Sequence, residues 1–215
     1  MTSVGAVIVT WNSGAIVERA CAALLGGERA PDRLVVVDNA STDPESLASL
    51  ARLPRVVERL DAGRNLGFCG ANNLGVAALG EVDHVLLCNP DAIVTPSFLA
   101  GALEHLERHP EVGALGPRLV QLDLATGLPS GRVDSVGIRQ TPWGQFVDRG
   151  QGQPDDGRHG SAPFPTVAVC AAAAVYRRVA LESAALPDGS VFDEGFFMYK
   201  EDIDLSLRVR RAGWA

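Results

Sequence analysis

Three carboxylates fall within four residues at Glu201, Asp202 and Asp204, directly behind the run Phe196-Phe197-Met198-Tyr199. A helix start keeps a carboxylate ionised, which suits a base that takes a proton from a hydroxyl. The same acids also suit a plain helix N-terminus, but such a start has no need of four bulky side chains in a row. Asn89-Pro90-Asp91 offers a carboxylate and a second side-chain oxygen two residues apart. That pair suits a hard divalent cation also held by diphosphate oxygens, and a simple turn is the alternative. In Asp38-Asn39-Ala40-Ser41-Thr42-Asp43 the leading carboxylate can accept hydrogen bonds from a ribose or a base edge. The helix start beyond it offers free N–H groups, and an ordinary cap is the alternative. Arg64-Asn65-Leu66-Gly67-Phe68, with Asn73 and Gly75, reads as a loop entering a helix beside a ligand. There glycine admits close backbone approach and Arg64 reaches a phosphate, against the alternative of a capped helix. His105 and His109 are four apart, but Glu107 is misplaced for an HExxH zinc motif, so the pair reads as helix-terminal cations.

These residues need a frame. Val4 to Val9 and Leu34 to Val37 are continuous apolar runs, as strands buried on both faces should be. Val56 to Leu60 and Val85 to Cys88 are read as two further strands. Helices are expected through Ile16 to Leu24, with Asn12 and Ser13 as caps, and through Leu47 to Ala51, behind a capping box at Thr42-Asp43-Pro44-Glu45. Two more are expected over Phe68 to Leu79 and Phe98 to Leu106. Repeated strand–helix units imply parallel strands, whose ligands bind beyond the carboxyl ends. Thr10-Trp11-Asn12, Asp38-Asn39, Asp61 to Asn65 and Asn89-Pro90-Asp91 occupy those ends. The Gly- and Pro-rich stretch from Gln121 to Pro165 reads as a long loop, either a lid or a linker. Thr166 to Tyr176 reads as a strand, and Glu201 to Ala212 as a helix ended by Gly213.

Composition narrows the classes. The chain has 215 residues, enough for one domain, with 47% hydrophobic and 21% charged residues. A net charge of −7 argues against nucleic acid as a partner. A diphosphate then needs a bridging cation. Cys21, Cys69, Cys88 and Cys170 form no CxxC pair and read as small buried hydrophobes. Neither a signal peptide nor an apolar run of membrane-spanning length is present, so a cytoplasmic location is expected, with peripheral contact at the inner face of a membrane left open.

The order of these blocks resembles family 2 glycosyltransferases of the GT-A fold, most closely the bacterial rhamnosyltransferase-like branch. The resembling residues are Val7-Ile8-Val9-Thr10-Trp11-Asn12, Asp38 to Asp43, Asn65-Leu66-Gly67-Phe68 with Asn73, Asn89-Pro90-Asp91, Phe192-Asp193-Glu194, and Phe196 to Leu205. The resemblance implies an α/β, Rossmann-like domain with a mostly parallel sheet. Residues 1–120 would form the nucleotide-sugar half and 121–215 the acceptor and catalytic half. It implies transfer of a sugar, with inversion, from a nucleoside-diphosphate donor to a saccharide or lipid-linked hydroxyl. On the resemblance alone, deoxythymidine-diphosphate rhamnose is the first donor considered and uridine-diphosphate sugars the second. Thr10, Asn12, Asp38, Asn39, Ser41, Asp43, Arg64, Asn65, Gly67, Asn73 and Asn89 would serve the donor. Asp91 would hold Mg2+ or Mn2+, and Asp202 would be the base, with Glu201 its rival. Asn89 stands where many relatives have the first Asp of a DxD motif, and Ala171 where a glycine is common. Relatives continue past Trp214-Ala215, so a C-terminally truncated form is expected. A non-catalytic sugar-nucleotide-binding module and a nucleotidyltransferase are the competing readings. The latter would carry a Gly-rich basic loop where Thr10-Trp11-Asn12-Ser13 stands.

Overall fold

The computed structural model describes residues 2–123, 126–159 and 162–215. Strands β1 (Val4–Thr10), β2 (Arg33–Asp38), β3 (Val57–Asp61) and β4 (His84–Cys88) run parallel in the order β3-β2-β1-β4. They alternate with helices α1 (Ile16–Leu25), α2 (Pro44–Arg52), α3 (Gly67–Leu79) and α4 (Phe98–Arg108).

Strand periodicity sends successive side chains to opposite faces. Ala6, Ile8, Leu34, Val36 and Leu86 therefore meet Cys21 and Leu24 of α1, Leu50 of α2 and Leu103 of α4. Val7, Val35, Val37, Val85 and Leu87 meet the other layer, made by α3, α5 (Arg178–Ser183) and α6 (Glu201–Arg211). Both faces are covered, which is why the strands read as unbroken apolar runs. Gly75 lets α3 lie close to the sheet, since a Cβ there would sit 2.4 Å from Cγ1 of Val7.

The second half departs from its expected form. Short strand β5 (Ala114–Leu115) leads to a hairpin of β6 (Leu119–Asp123) and β7 (Leu128–Ser135), then to one of β8 (Ile138–Gln140) and β9 (Phe146–Asp148). Part of the stretch expected as one long loop over Gln121 to Pro165 is thus paired in two hairpins. β8 and β9 are three residues each and the β6–β7 register is irregular, which erases the period-2 signal. Leu124, Ala125, Gly160 and Ser161 of that stretch lie outside the described residues. The strand expected from Thr166 begins only at β10 (Ala173–Arg177), because the Ile138 N–H donates to the Ala168 carbonyl at 2.8 Å. β10 lies antiparallel between β4 and β5, completing a six-stranded sheet in the order β3-β2-β1-β4-β10-β5.

Two caps also differ. Helix α1 starts after Ala15 with no side-chain cap, and Asn12 instead accepts from the N–H groups of Thr42 (2.8 Å) and Asp43 (3.1 Å). Asp43, rather than Thr42, caps α2, accepting from the Ser46 N–H at 2.9 Å. Pro44 takes the first helical position, where its missing N–H costs nothing.

Candidate active site

In the strand order the chain turns one way from β1 to β2 and the other way from β1 to β4. The crevice opening beyond such a switch is where ligands settle in these sheets. A cleft of about 710 Å³ lies there, lined by Ser13, Arg19, Glu45, Phe68, Asn89 and Asp91 among others. A second cavity, of about 720 Å³, lies beside α4 and is lined by His105 and His109, but by none of the donor, metal or base candidates. The switch-point cleft is therefore the candidate site.

Beside it the β1 and β2 ends are knitted together, where Thr10 and Asp38 stand in register. The Asn12 N–H donates to Ser41 Oγ at 3.0 Å, and the Ser41 N–H donates to Asp38 Oδ1 at 2.9 Å. Asp38 keeps its second carboxylate oxygen free of protein partners among the described residues, as a group awaiting a ribose would. Thr10 is buried with its Oγ1 unpartnered. Asp43 is held below the ordinary carboxylate range by its hydrogen bonds from Ser46, in keeping with a cap. Arg64 is exposed and makes no hydrogen bond or ion pair among the described residues. Arg19, which sequence patterning did not single out, lines the cleft and donates from Nη2 to the Gly127 carbonyl at 3.0 Å.

Three asparagines expected to face a donor are committed within the protein. Asn39 donates from Nδ2 to Asn65 Oδ1 (3.0 Å) and to the Gly67 carbonyl (3.1 Å), and accepts from the Leu66 N–H (2.7 Å). Asn65 also accepts from the Gly67 N–H at 2.9 Å. Asn73 accepts from the N–H groups of Val191 and Phe192, and donates to the Phe192 carbonyl and to Glu194 Oε1. Gly67, at φ +71°, has Phe197 packed against it.

Across the sheet edge, Asn89, Pro90 and Asp91 after β4 line the cleft, and the segment before β10 and the start of α6 lie next to them. Asn89 donates its backbone N–H to the Ala172 carbonyl at 2.8 Å, which puts residues 170–172 at the carboxyl end of β4. Asp202 approaches the same place, because the Ala171 backbone N–H is among the groups that stabilise its charge. Burial nevertheless pushes the Asp202 carboxyl above its usual range, and the Asp148 charge on β9 adds to the rise. Asp148 has a buried Oδ1 without a partner among the described residues, and no sequence signal marks it, since β9 lies in a Gly- and Pro-rich stretch. Glu201 is more deeply buried and is raised by burial first and by Asp202 second.

Asp91 is exposed, and neither its carboxylate nor the Asn89 side chain has a protein partner among the described residues. They fit a cation that takes its remaining ligands from a diphosphate and water. Among the described residues no group of three or more His, Cys, Asp or Glu is placed to hold a metal by itself. That holds for His105 and His109, whose rings stack at 4.3 Å. All four cysteines are free, and burial pushes each thiol up, to about 11 for Cys21 and about 12 for the others. They are unreactive thiols.

The model of the family described as Glycosyl transferase family 2 matches residues 6–183. An N-acetylglucosaminyl-diphospho-decaprenol L-rhamnosyltransferase of Mycobacterium tuberculosis, found in two strains, is 32% identical over 235 aligned positions. That alignment covers 97% of this chain and 70% of the relative. Among solved structures, GalNAc-T7 with UDP, GalNAc and Mn2+ superposes with a TM-score of 0.74 at 15% identity, over 100% of this chain and 41% of that one. A mannosyltransferase from Pyrobaculum calidifontis in complex with GDP-Man and Mn2+ gives 0.65 at 18% identity, over 100% and 53%. The chain thus spans about half the length of these solved proteins, and the likeness to them is one of fold, the GT-A fold. With a family match across most of its length and a relative aligned almost from end to end, the chain belongs to glycosyl transferase family 2.

Proposed function

We propose that the chain transfers a sugar, deoxythymidine-diphosphate rhamnose being the first donor to try, to a hydroxyl of a saccharide or lipid-linked acceptor. One observation carries the reading. Asp38 and Asp91 stand at the carboxyl ends of parallel strands around one switch point, and the half-buried Asp202 comes to the same edge beside Ala171. Asp38 receives the nucleoside, while Asp91 and Asn89 would hold Mg2+ or Mn2+ against the diphosphate. Bound there, the cation would offset the leaving group's charge. Asp202 takes the proton from the acceptor hydroxyl as it attacks the anomeric carbon, in one displacement with inversion. Burial serves this role, since a base whose affinity for protons is raised is a stronger base near neutral pH. The relative's name supports rhamnosyl transfer and a polyprenyl-diphosphate-linked acceptor. Such an acceptor would bring the protein to a membrane face, and none of the helices among the described residues is long and apolar enough to cross one.

The test is a thermal-shift screen of nucleoside diphosphates and their sugars, with and without Mn2+ or Mg2+, followed by an assay for released nucleoside diphosphate with acceptor present. Binding should need the metal, and Asp91→Ala should lose the strengthening that the metal brings. Metal-dependent binding without turnover would favour a non-catalytic nucleotide-sugar-binding module. Metal-independent binding would remove Asp91 from the site.

A further inference from the structure

We infer that Gly67 and Asn73 are positioning residues for Asp202: they fasten the segment 191–200 onto α3 and so aim the first turn of α6. The inference rests on the reading of Asp202 as the base.

The side-chain amide of Asn73 has two donor and two acceptor sites. All four are committed to one short segment, to the Val191 and Phe192 N–H groups at 3.2 and 2.9 Å, the Phe192 carbonyl at 2.9 Å and Glu194 Oε1 at 3.3 Å. Asn73 lies in the middle of α3, more than a hundred residues away in sequence, so it works as a long-range clamp with nothing left over for a nucleotide. One turn earlier, the carbonyl of Phe197 accepts from the Phe68 N–H at 2.8 Å and the Cys69 N–H at 3.3 Å. These are N–H groups that a helix start leaves without intrahelical partners. Phe197 therefore caps α3 with its backbone.

That cap requires glycine at 67. A Cβ there would lie 2.6 Å from both the carbonyl oxygen and Cδ2 of Phe197, and φ is +71°. The ring of Phe192 adds an edge-to-face contact with Phe68 at 5.8 Å. The tether is needed because the segment is strained. Phe197, Tyr199 and Lys200, none of them glycine, sit at φ +56°, +72° and +73°. Such conformations persist only where the surroundings over-determine them. Lys200 is the residue from which α6 starts, so whatever fixes it fixes the direction of Asp202 two residues on.

The experiment compares the wild type with Asn73→Ala and Gly67→Ala. Alanine favours a helix interior over asparagine, so Asn73→Ala keeps α3 and remains informative should Gly67→Ala fail to fold. Three readouts are taken: affinity for deoxythymidine diphosphate with Mn2+, sugar transfer, and NMR. NMR follows amide exchange at Phe68, Cys69 and Phe192 together with the Asp202 carboxyl titration. Asp202 is faced by Asp148 from β9, by Cys170 and Tyr176 from the β10 side, and by Lys200 and Glu201 from its own segment. Losing the tether should expose it and return its titration towards the ordinary range. The inference expects nucleotide affinity within about twofold of wild type while transfer falls about 10²-fold, the scale of a misplaced catalytic group. It also expects those amides to exchange faster. Affinity and transfer falling together would overturn it and return Asn73 to the donor site. Unchanged exchange and an unchanged Asp202 titration would overturn it too. A wild type without transfer activity would defeat the functional reading, while the NMR readouts would still decide the tether.

Discussion

Neutralising the adjacent carboxyls of α6 one at a time separates a base from a strain on the fold. Glu201 is 7% exposed and its Oε2 has no partner, whereas Asp202 is half-buried and uses Oδ1 on the Ile203 N–H at 2.8 Å. Consecutive helical residues point about 100° apart, so only one of the two can face an acceptor. Burial raises the Glu201 carboxyl above its ordinary 4.5. A carboxyl raised on folding contributes its stability in full below that ordinary value and loses it as pH rises through the folded value. Above that window the fold carries a buried carboxylate with one unpaired oxygen. An unsatisfied buried polar group costs about 1–3 kcal/mol, and more when charged. Glu201→Gln keeps the shape and removes the charge but adds an amide that needs partners. The net gain at neutral pH should be about 1 kcal/mol. In a chain of this size that is about 2–4 °C in Tm. The gain should vanish as pH falls to the ordinary Glu value, where the wild-type carboxyl is protonated as well. Asp202→Asn should instead cut turnover by about 10²–10⁴-fold, with nucleotide affinity retained. Thermal unfolding across this pH range, paired with turnover, checks both halves. Should Glu201→Gln lose stability at neutral pH, or lose turnover as severely as Asp202→Asn, the buried oxygen belongs to the chemistry and the assignment of the base is wrong.

Asp38→Ala should weaken a nucleoside diphosphate and its sugar ester alike, by about 10–10²-fold if one hydrogen bond to a charged group is lost. Calorimetry measures both, and a loss confined to the sugar nucleotide would place Asp38 on the sugar. Gly75→Ala should gain about 1 kcal/mol of helix propensity yet lose more, about 1–3 kcal/mol, to a Cβ pressed 2.4 Å from Val7 Cγ1. Its Tm should fall and recover in part when Val7→Ala is added, and purely additive effects would refute the contact. His84 is buried with both ring nitrogens unpartnered. Burial first, then Arg177, lowers its pKa against the opposing pull of Asp83 and Glu107. The stability it contributes is present above its ordinary 6.5 and drains as pH falls through the depressed folded value. His84→Leu should therefore gain on the wild type in Tm as pH falls from 6.5 towards that depressed value, and a gap that stays constant across this window would refute the argument.

The first half, from β1 to α4, was legible because its signals are local. Val7, Val35 and Val37 serve one face of the sheet and Ile8 and Val36 the other, so strands covered on both sides show as unbroken apolar runs. The carboxyl-end rule then located Asp38 and Asp91 without coordinates. Direction was not legible. The apolar run ending at Tyr176 carries no mark of being antiparallel, and only the pairing of Ala173 with Cys88 reveals it. Nor was Asp148, which lies in a three-residue strand whose hairpin partner is equally short.

The asparagines show a different limit. An amide is chemically as fit to bind a ribose as to bind a peptide group, and nothing within ten residues of Asn73 says that its partners are Val191 and Phe192. Sequence spacing placed it on the right helix, α3, whose start lies beside the strand ends. The geometry turns it away from the cleft wall made by Asn89 and Asp91 and towards the segment that carries Asp202. One helix therefore serves two tasks with two sets of atoms. The carbonyl of Gly67 is held by Asn39 beyond strand β2, and the N–H groups of Phe68 and Cys69 hold Phe197 from the segment before α6. A shift of α3 by even a fraction of an ångström would then move the wall proposed for the nucleoside and the proposed base together. Gly75, which sets how closely α3 lies on β1, should accordingly affect turnover as well as stability, although it touches neither substrate. Transfer by folded Gly75→Ala, measured well below its Tm, decides this. Loss of turnover with an intact fold supports one rigid carrier for both walls, and full turnover would show that the walls adjust independently.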